Sequence, residues 1–276
     1  MPMVCRIQAV GPAGAGRSHR KTVYFPLAWR DYVEEDQEEK SQDASLKGQP
    51  REASKHGAWL SNSADVPELS SARIGELVIG GSRANWASVG ITFSESGVCL
   101  AGDVVIRCDE SLSPGLHRWS LFGLDSQLTE IDGIETAVAK EISESDVHTS
   151  ETFSLQILGV DHVVINTPDL ERTSRALEAA THASLKRIRD AGNGMRQGFH
   201  RLGSVIVEIV SAPTMESGKA SLWGFVLNVS DVHEAARFLG PDVLSPPKPA
   251  VQNNRLISTF RSAAGLGVPI ALMSDC

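Results

Sequence analysis

Two ionisable residues stand inside otherwise apolar stretches of the C-terminal half of the chain. His162 lies in the β-branched run at residues 161–166, and Glu208 lies in the middle of residues 204–210. A carboxylate in such a stretch is costly to bury unless it meets a partner. Imidazole nitrogen and carboxylate oxygen also bind divalent metal ions. The pair therefore indicates a metal site, a buried hydrogen-bonded couple without metal, or a pair that binds a substrate without metal.

The segments around these residues predict the order strand, helix, strand, strand, strand. The first strand, at residues 161–166, breaks at Thr167-Pro168-Asp169, and apolar residues at helical spacing follow. Three further strands are predicted, at residues 183–188, 195–202 and 204–210. His162 then lies in the first strand of a β-α-β-β-β unit and Glu208 in the last, and alternation places each on one face of its strand.

The same order recurs downstream. A strand is predicted at residues 222–231, a short amphipathic helix at 232–239, and two more strands at 255–261 and 268–273. In this second unit the place of His162 is taken by Gly224, or by Trp223 if the register slips by one, and the place of Glu208 is taken by Ala271.

The order of elements and the pattern of apolar and polar residues in these segments resemble those of the vicinal oxygen chelate superfamily. This superfamily includes glyoxalase I, extradiol dioxygenases and bleomycin-resistance proteins. The resemblance implies an α+β fold of glyoxalase-like paired β-α-β-β-β modules that form a cup-shaped sheet. It also implies that His162 and Glu208 are metal ligands, with Glu208 as the catalytic residue. Because Gly224 and Ala271 supply no ligands, the expected cofactor is at most a weakly held divalent metal ion.

Three further residues are candidates for binding the substrate. His200 and Asn228 could complete a two-ligand site, and Arg255 could reach an anionic ligand at the rim of the cup. The plainer interpretations are a solvated strand histidine for His200 and a surface loop for Arg255.

An internal repeat extends the pattern toward the N-terminus. The run around Gly102 parallels the run around Gly203, and Trp119 parallels Trp223. Residues 71–125, with strands at 76–79 and 90–93 and a helix at 82–88, are predicted to be an additional incomplete module plus the first strand of another. Arg107 stands at the place of Glu208, and no histidine stands at residues 76–80, so we expect no metal chemistry there.

The remaining segments complete the predicted domain organisation. Residues 126–156 are expected to be a linker, with weak helical spacing at 134–138, and residues 157–276 a complete two-module domain. Residues 1–70 combine a glycine-rich run with an acidic block, a composition typical of a disordered or poorly ordered extension. The first thirty residues contain five basic and no acidic residues, so an organellar targeting segment is the alternative interpretation.

The composition limits the classes of partner that the protein is expected to bind. The formal net charge of −8 argues against nucleic acid and anionic lipid, and no apolar run reaches the ~20 residues that a membrane span needs. The four cysteines are scattered without a CxxC pair, which favours a reducing compartment and a cytoplasmic location. A homodimer is left open.

These observations predict a protein that binds, and in one version turns over, a small organic molecule in the C-terminal cup. Lyase, isomerase and dioxygenase chemistry all occur in the superfamily, so the fold does not select a reaction. The alternatives are a non-catalytic binding or sequestering protein of the bleomycin-resistance type, and an interaction protein in which the cup is closed.

Overall fold

The computed structural model describes residues 71–125, 127–141, 155–215 and 217–274. The prediction of a poorly ordered extension at residues 1–70 lies outside them. The described residues form two β-sheets that belong to one compact unit. No helix among them is long and apolar enough to span a membrane.

The N-terminal sheet has six strands, and one short helix lies between the first two in the chain. In chain order these are β1 (Arg73–Gly80), α1 (Arg83–Ser88), β2 (Val98–Ala101), β3 (Val104–Asp109), β4 (Gly115–Phe122), β5 (Glu130–Ile131) and β6 (Ile134–Val138). The strands lie side by side in the order β2-β3-β1-β4-β6-β5.

The C-terminal sheet has eight strands, and two helices connect strands of this sheet. In chain order these are β7 (Ile157–Asn166), α2 (Leu170–Thr181), β8 (Arg187–Asp190), β9 (Arg196–Leu202), β10 (Val205–Ser211), β11 (Ser221–Val229), α3 (Val232–Leu239), β12 (Lys248–Pro249), β13 (Leu256–Thr259) and β14 (Ile270–Ser274), with a 3₁₀ turn at Ser262–Ala264. The strands lie in the order β12-β13-β14-β11-β7-β10-β9-β8.

Strand pairing in the C-terminal sheet confirms the predicted α+β fold of paired modules. β7 runs parallel to β10 and β11 runs parallel to β14, while β7 and β11 pair antiparallel at the centre. Each helix begins at an aspartate that caps it: Asp169 accepts a hydrogen bond from the Arg172 backbone, and Asp231 accepts two from the start of α3.

The N-terminal sheet repeats this pairing in shortened form. β1 is parallel to β3 and antiparallel to β4, and β4 is parallel to β6. Residues 134–138 are therefore not helical. They form a strand that alternates buried Ile134 and Thr136 with exposed Glu135, and they join this part of the predicted linker to the N-terminal sheet. The turn that leads into β6 is a two-residue one at Asp132 and Gly133, both with positive φ.

Two other predictions for this region were wrong. Residues 90–93 form no strand, because the Ile91 amide bonds the carbonyl of Trp86 and the chain folds back under α1. Trp119 does not correspond to Trp223. It pairs with Leu77 as Phe225 pairs with Val163, so Phe225 is its counterpart.

Buried apolar residues of both sheets form one continuous core. It includes Leu77 and Trp119 of the N-terminal sheet and Val163 and Phe225 of the C-terminal sheet, together with Leu177 of α2. Since side chains alternate along a strand, the neighbours of Val163 and Phe225 point to the other side of the C-terminal sheet. No helix of the described residues packs on that side, which carries His162, Glu208, Val226 and Asn228, and we call it the helix-free face.

Candidate functional site

His162 and Glu208 lie side by side on the helix-free face. They come from the parallel neighbours β7 and β10, in which His162 pairs with Ile206 and Val164 pairs with Glu208. The His162 Nε2 atom is 3.6 Å from Glu208 Oε2, and the two side chains are 12% and 14% exposed. The expected proximity is confirmed, whereas the role of the pair as metal ligands stays a prediction. The separation exceeds that of a hydrogen bond.

A β-bulge sets the direction of His162. Val226 of β11 lies opposite His162, but the next residue, Leu227, lies opposite Val160, so Asp161 is an extra residue in β7. Such a bulge re-aims the side chains beside it. The neighbouring Asp161 thereby reaches His162, with its Oδ2 atom 2.8 Å from Nδ1.

Asp161 orients the imidazole ring. Burial works to raise the pKa of the Asp161 carboxyl, but the hydrogen bonds and charges of His162 and Arg255 outweigh it and lower that pKa to about 2. An ionised carboxylate only accepts hydrogen bonds, so the proton between the two residues belongs to Nδ1. In the neutral ring the lone pair of Nε2 then faces Glu208.

Arg255 and Asn228, which we predicted to bind substrate, are hydrogen-bonded within the protein, and their binding of substrate stays a prediction. Arg255 is 8% exposed, and its guanidinium donates to Asp161 Oδ1 at 2.6 Å and to the Ser274 carbonyl at 2.8 Å. It also donates to the side-chain oxygen of Asn228. With three acceptors engaged, Arg255 is a positioning residue behind Asp161, and neither it nor Asn228 is brought to the rim of a cup.

The structure does not bring His200 to this pair, and its binding of substrate stays a prediction. It is 1% exposed and lies under α2, where Ser174 Oγ is 2.8 Å from Nε2 and the Ala183 carbonyl is 2.8 Å from Nδ1. Burial lowers the pKa of His200. Alternation along β9 explains this placement: Gln197 and Phe199 share the helix-free face with Glu208, and His200 points to the opposite side.

Glu208 has a supporting residue that sequence reasoning missed. Gln197 Nε2 donates to Glu208 Oε1 at 2.7 Å. Burial raises the pKa of the Glu208 carboxyl, and the nearby charges of His162 and Arg189 offset this only in part. The signal was available, because Gln197 stands two residues from Phe199, the residue that pairs with Glu208 on the neighbouring strand.

The second module supplies no matching ligands. Gly224 stands in β11 as His162 stands in β7, each seven residues before the aspartate that caps the following helix. A Cβ atom at Gly224 would lie 2.2 Å from the carbonyl oxygen of Pro269, so no side chain fits there. Ala271, the counterpart of Glu208, is fully buried. Half of the implied donor set is therefore missing, and the described residues contain no cluster of three or more His, Cys, Asp or Glu placed to hold a metal ion.

The N-terminal sheet carries an ion pair at the equivalent position. Arg107 pairs with Val78 as Glu208 pairs with Val164, which makes Glu76 the counterpart of His162. Arg107 Nε lies 2.6 Å from Glu76 Oε1. The expectation of no metal chemistry here stays a prediction, and this pair, of which sequence reasoning identified only Arg107, is satisfied within the protein.

Two arginines of the edge strand β8 lie beside Glu208. Arg187 pairs with Phe199 and Arg189 pairs with Gln197, so both belong to the helix-free face. The Arg187 guanidinium lies over the Phe199 ring, 4.6 Å from its centroid. We call Arg187 and Arg189 the basic flank.

A cavity of about 250 Å³ lies elsewhere, at the start of α3. Its lining includes Gln156, Ser230, Asp231 and Glu234, and it contains neither His162 nor Glu208.

Comparisons with known proteins found likeness in solved structures alone. No protein-family model matches the chain. No curated protein matches it either. Methylmalonyl-CoA epimerase from Mycobacterium tuberculosis is similar with a TM-score of 0.38 and 17% identity, over 47% of this chain and 94% of that one. A hypothetical protein from Bacillus halodurans C-125 is similar with a TM-score of 0.36 and 14% identity, over 42% of this chain and 94% of that one.

A third similar structure contains a bound compound. Methylmalonyl-CoA epimerase from Streptomyces coelicolor, in complex with 2-nitronate-propionyl-CoA, gives a TM-score of 0.36 and 15% identity, over 45% of this chain and 96% of that one. The strand pairing described above, rather than these scores, carries the assignment of the fold. No residue role is taken from these structures.

Proposed function

We propose that the protein binds a small organic molecule against the helix-free face of its C-terminal sheet, with His162 and Glu208 as the contacting groups. The observation that carries this proposal is the 3.6 Å gap between His162 Nε2 and Glu208 Oε2. Each of the two side chains is held from behind by its own partner, Asp161 for the imidazole and Gln197 for the carboxyl. The two facing atoms remain available to a third group.

The gap favours a binding site over a purely structural pair. A buried histidine and glutamate that serve only each other would close to a hydrogen bond of about 2.7–3.2 Å. Here the surrounding hydrogen bonds hold them apart, and both side chains keep partial access to solvent. A metal ion, a water molecule or a polar atom of a ligand fits between two such groups.

Proton transfer is the chemistry that these residues support. A carboxyl group whose pKa is raised by burial is a stronger base once ionised and accepts a proton nearer to neutral pH. Glu208 would take or return a proton at Oε2, while Asp161 keeps His162 in one tautomer. A divalent ion, if bound, would polarise an oxygen of the ligand.

The basic flank indicates the charge of the ligand. Arg187 and Arg189 bring positive charge to the same face as Glu208, in a chain whose net charge is −8. A small molecule with a carboxylate or phosphate group would place that group against the flank and its reactive part between His162 and Glu208.

A non-catalytic binding protein of the bleomycin-resistance type is the second candidate. Gly224 and Ala271 favour it, because they leave the site without the donors of the second module. In this version Glu208 only accepts hydrogen bonds from the ligand.

Ligand-induced thermal shifts test the proposal. Protein purified without a histidine tag is first analysed for metal content, and its melting temperature is then measured with malonate, pyruvate, phosphate and methylmalonyl-CoA, and with malonamide as a neutral comparison. We expect an anion to raise the melting temperature of the unmodified protein and of His233→Ala, an exposed histidine on α3. His162→Ala and Glu208→Ala should lose the shift. A shift that persists in both variants, or none with any anion, would overturn the proposal.

A further inference from the structure

We propose that Asn193 is a site of spontaneous chemical modification. The backbone nitrogen of Gly194 attacks the side-chain amide of Asn193, and water completes the conversion of this residue to aspartate and isoaspartate. The two residues lie in the turn between β8 and β9. The modification goes beyond the proposed function and does not depend on it, since neither residue belongs to the pair His162 and Glu208.

Asn193 and Gly194 are the two central residues of a tight turn. The Met195 amide closes this turn by donating to the Gly192 carbonyl at 2.8 Å, and the central residues have φ values of 51° and 75°. Positive φ at both positions is the feature of a type I′ turn, in which asparagine followed by glycine is preferred. Glycine also fits the space, because a Cβ atom at Gly194 would lie 2.7 Å from Pro213 Cγ. The fold therefore favours an Asn-Gly pair here for reasons of backbone conformation.

The reacting groups of this turn are accessible and have no competing hydrogen bonds. Both Asn193 and Gly194 are exposed. Within the described part of the chain, the Gly194 amide donates no hydrogen bond, and the Asn193 side chain makes none. A backbone amide that is bound to a carbonyl would first have to give up that bond. Because Gly194 has no side chain, nothing on this residue blocks the approach of its nitrogen to Asn193 Cγ.

The reaction needs water as its co-reactant and nothing else. The Gly194 nitrogen forms a bond to Asn193 Cγ, the bond from Cγ to Nδ2 breaks, and the backbone amide proton leaves with Nδ2 as ammonia. Water then opens the resulting cyclic imide at either of its carbonyl groups. Opening at one carbonyl gives aspartate. Opening at the other gives isoaspartate, in which the main chain runs through the side-chain carbon atoms.

Asn254 provides a comparison within the same molecule. It is also exposed and has a φ of 64°, but Arg255 follows it, and the Arg255 amide donates to the Gln252 carbonyl at 3.3 Å. The nitrogen that would attack Asn254 is therefore hydrogen-bonded, and its residue carries a long side chain. A difference in rate between these two exposed asparagines of similar φ reports the contribution of the residue that follows.

The conversion has a consequence for the edge of the C-terminal sheet. β8 is the last strand of this sheet, and it pairs with β9 over Arg187–Asp190. Isoaspartate lengthens the main chain of the turn, and the loop length of a hairpin fixes the register of its strands. We therefore expect β8 to separate from β9 in the modified protein, which exposes the peptide bonds after Lys186, Arg187 and Arg189 to trypsin.

Peptide mapping of aged protein tests the proposal. Full-length protein, unmodified and Asn193→Gly, is kept folded in mildly alkaline buffer and sampled over time, in parallel with a sample unfolded in urea. Complete digestion with trypsin releases residues 190–196, in which Asn193 is the one side-chain amide, so mass spectrometry measures its conversion directly. Methylation by an isoaspartyl methyltransferase detects isoaspartate. Brief digestion of the folded samples measures cleavage within β8.

We expect most of Asn193 in the folded protein to be converted before conversion of Asn254 is detectable. Aged protein should be cleaved within β8 faster than fresh protein, and Asn193→Gly should show no such change, because glycine keeps the positive φ but has no amide to lose. Equal conversion of Asn193 and Asn254, or conversion of Asn193 in the urea sample alone, would overturn the proposal. Conversion without faster cleavage would overturn the expected effect on β8.

Discussion

The orientation of the His162 side chain is set by residues that are adjacent to it in space and in sequence. Asp161 contacts it through the bulge in β7, and Arg255 reaches Asp161 from 94 positions along the chain. The sequence indicated the pair His162 and Glu208 from their apolar surroundings alone. It assigned Arg255 to a ligand, because nothing in the local sequence shows that a buried aspartate lies within its reach.

The lowered pKa of Asp161 predicts a loss of stability in acid. Its folded-state pKa of about 2 lies below the ordinary value of 3.8, so its contribution is present above pH 3.8 and disappears as the pH falls toward 2. A difference of this size corresponds to on the order of 2 kcal/mol. Urea unfolding between pH 2 and pH 6, with a chelator present, should show this loss.

Asp161→Asn is the comparison for that measurement. The variant has no titrating group at this position, so its stability should change less between pH 4 and pH 2 than that of the unmodified protein. Parallel curves for the two proteins would contradict the role given to Asp161.

Glu208 predicts the opposite dependence. Its pKa is raised above the ordinary value of 4.5, so the folded protein holds a proton there that the unfolded chain releases. Its contribution is complete below pH 4.5 and is lost as the pH rises through the folded-state pKa. We expect Glu208→Gln to flatten this fall in unfolding free energy as the pH rises above 4.5. A slope unchanged by Glu208→Gln would contradict it.

At the scale of the element, β11 and β14 determine what the second module can hold. The carbonyl of Pro269 lies so close to Gly224 that the two strands meet there without room for a side chain. A metal-ligating residue at Gly224 would therefore have to displace β14, because any Cβ atom there would overlap the Pro269 oxygen.

Gly224→Ala is therefore expected to destabilise the protein. The added methyl group must displace backbone, which costs about 1–3 kcal/mol in a packed core. Gly218→Ala is the matched control, since nothing lies within 4 Å of its Cβ position. In chemical denaturation the midpoint of Gly224→Ala should be well below that of the unmodified protein, and the midpoint of Gly218→Ala should be close to it. Equal midpoints for the two variants would show that β14 moves to accommodate the side chain.

At the scale of the whole molecule, the two sheets share a core and several polar contacts. Asp132, in the turn between β5 and β6, accepts hydrogen bonds from Arg172 and Thr173 of α2, and its carbonyl accepts one from the Ala220 amide. Ser204 donates to Asp103 across the two corresponding turns. The boundaries at 71–125, 126–156 and 157–276 stay predictions, as do the cytoplasmic location, a homodimer and the absence of nucleic-acid and membrane partners.

This shared core predicts the behaviour of a C-terminal fragment. A chain of residues 155–276 keeps both modules and should fold, but it exposes apolar surface of the core cluster and leaves Arg172 and Thr173 without Asp132. Its unfolding free energy should be lower than that of residues 71–276 under the same conditions. Asp132→Ala in the longer chain should reproduce about 1–3 kcal/mol of this loss. Equal stability of the two fragments would show that the sheets fold independently.

The amino-acid sequence alone determined the module order and the strands that carry His162 and Glu208. It also showed that Gly224 and Ala271 have no metal-ligating side chains. Periodicity and turn residues are local properties, and they suffice for this. Tertiary structure alone decided which groups Arg255, His200 and Gln197 contact. A side chain's role depends on which strands become neighbours, on the face to which alternation assigns it, and on a single-residue bulge that changes the register. Those pairings join distant residues through space, so no local pattern encodes them.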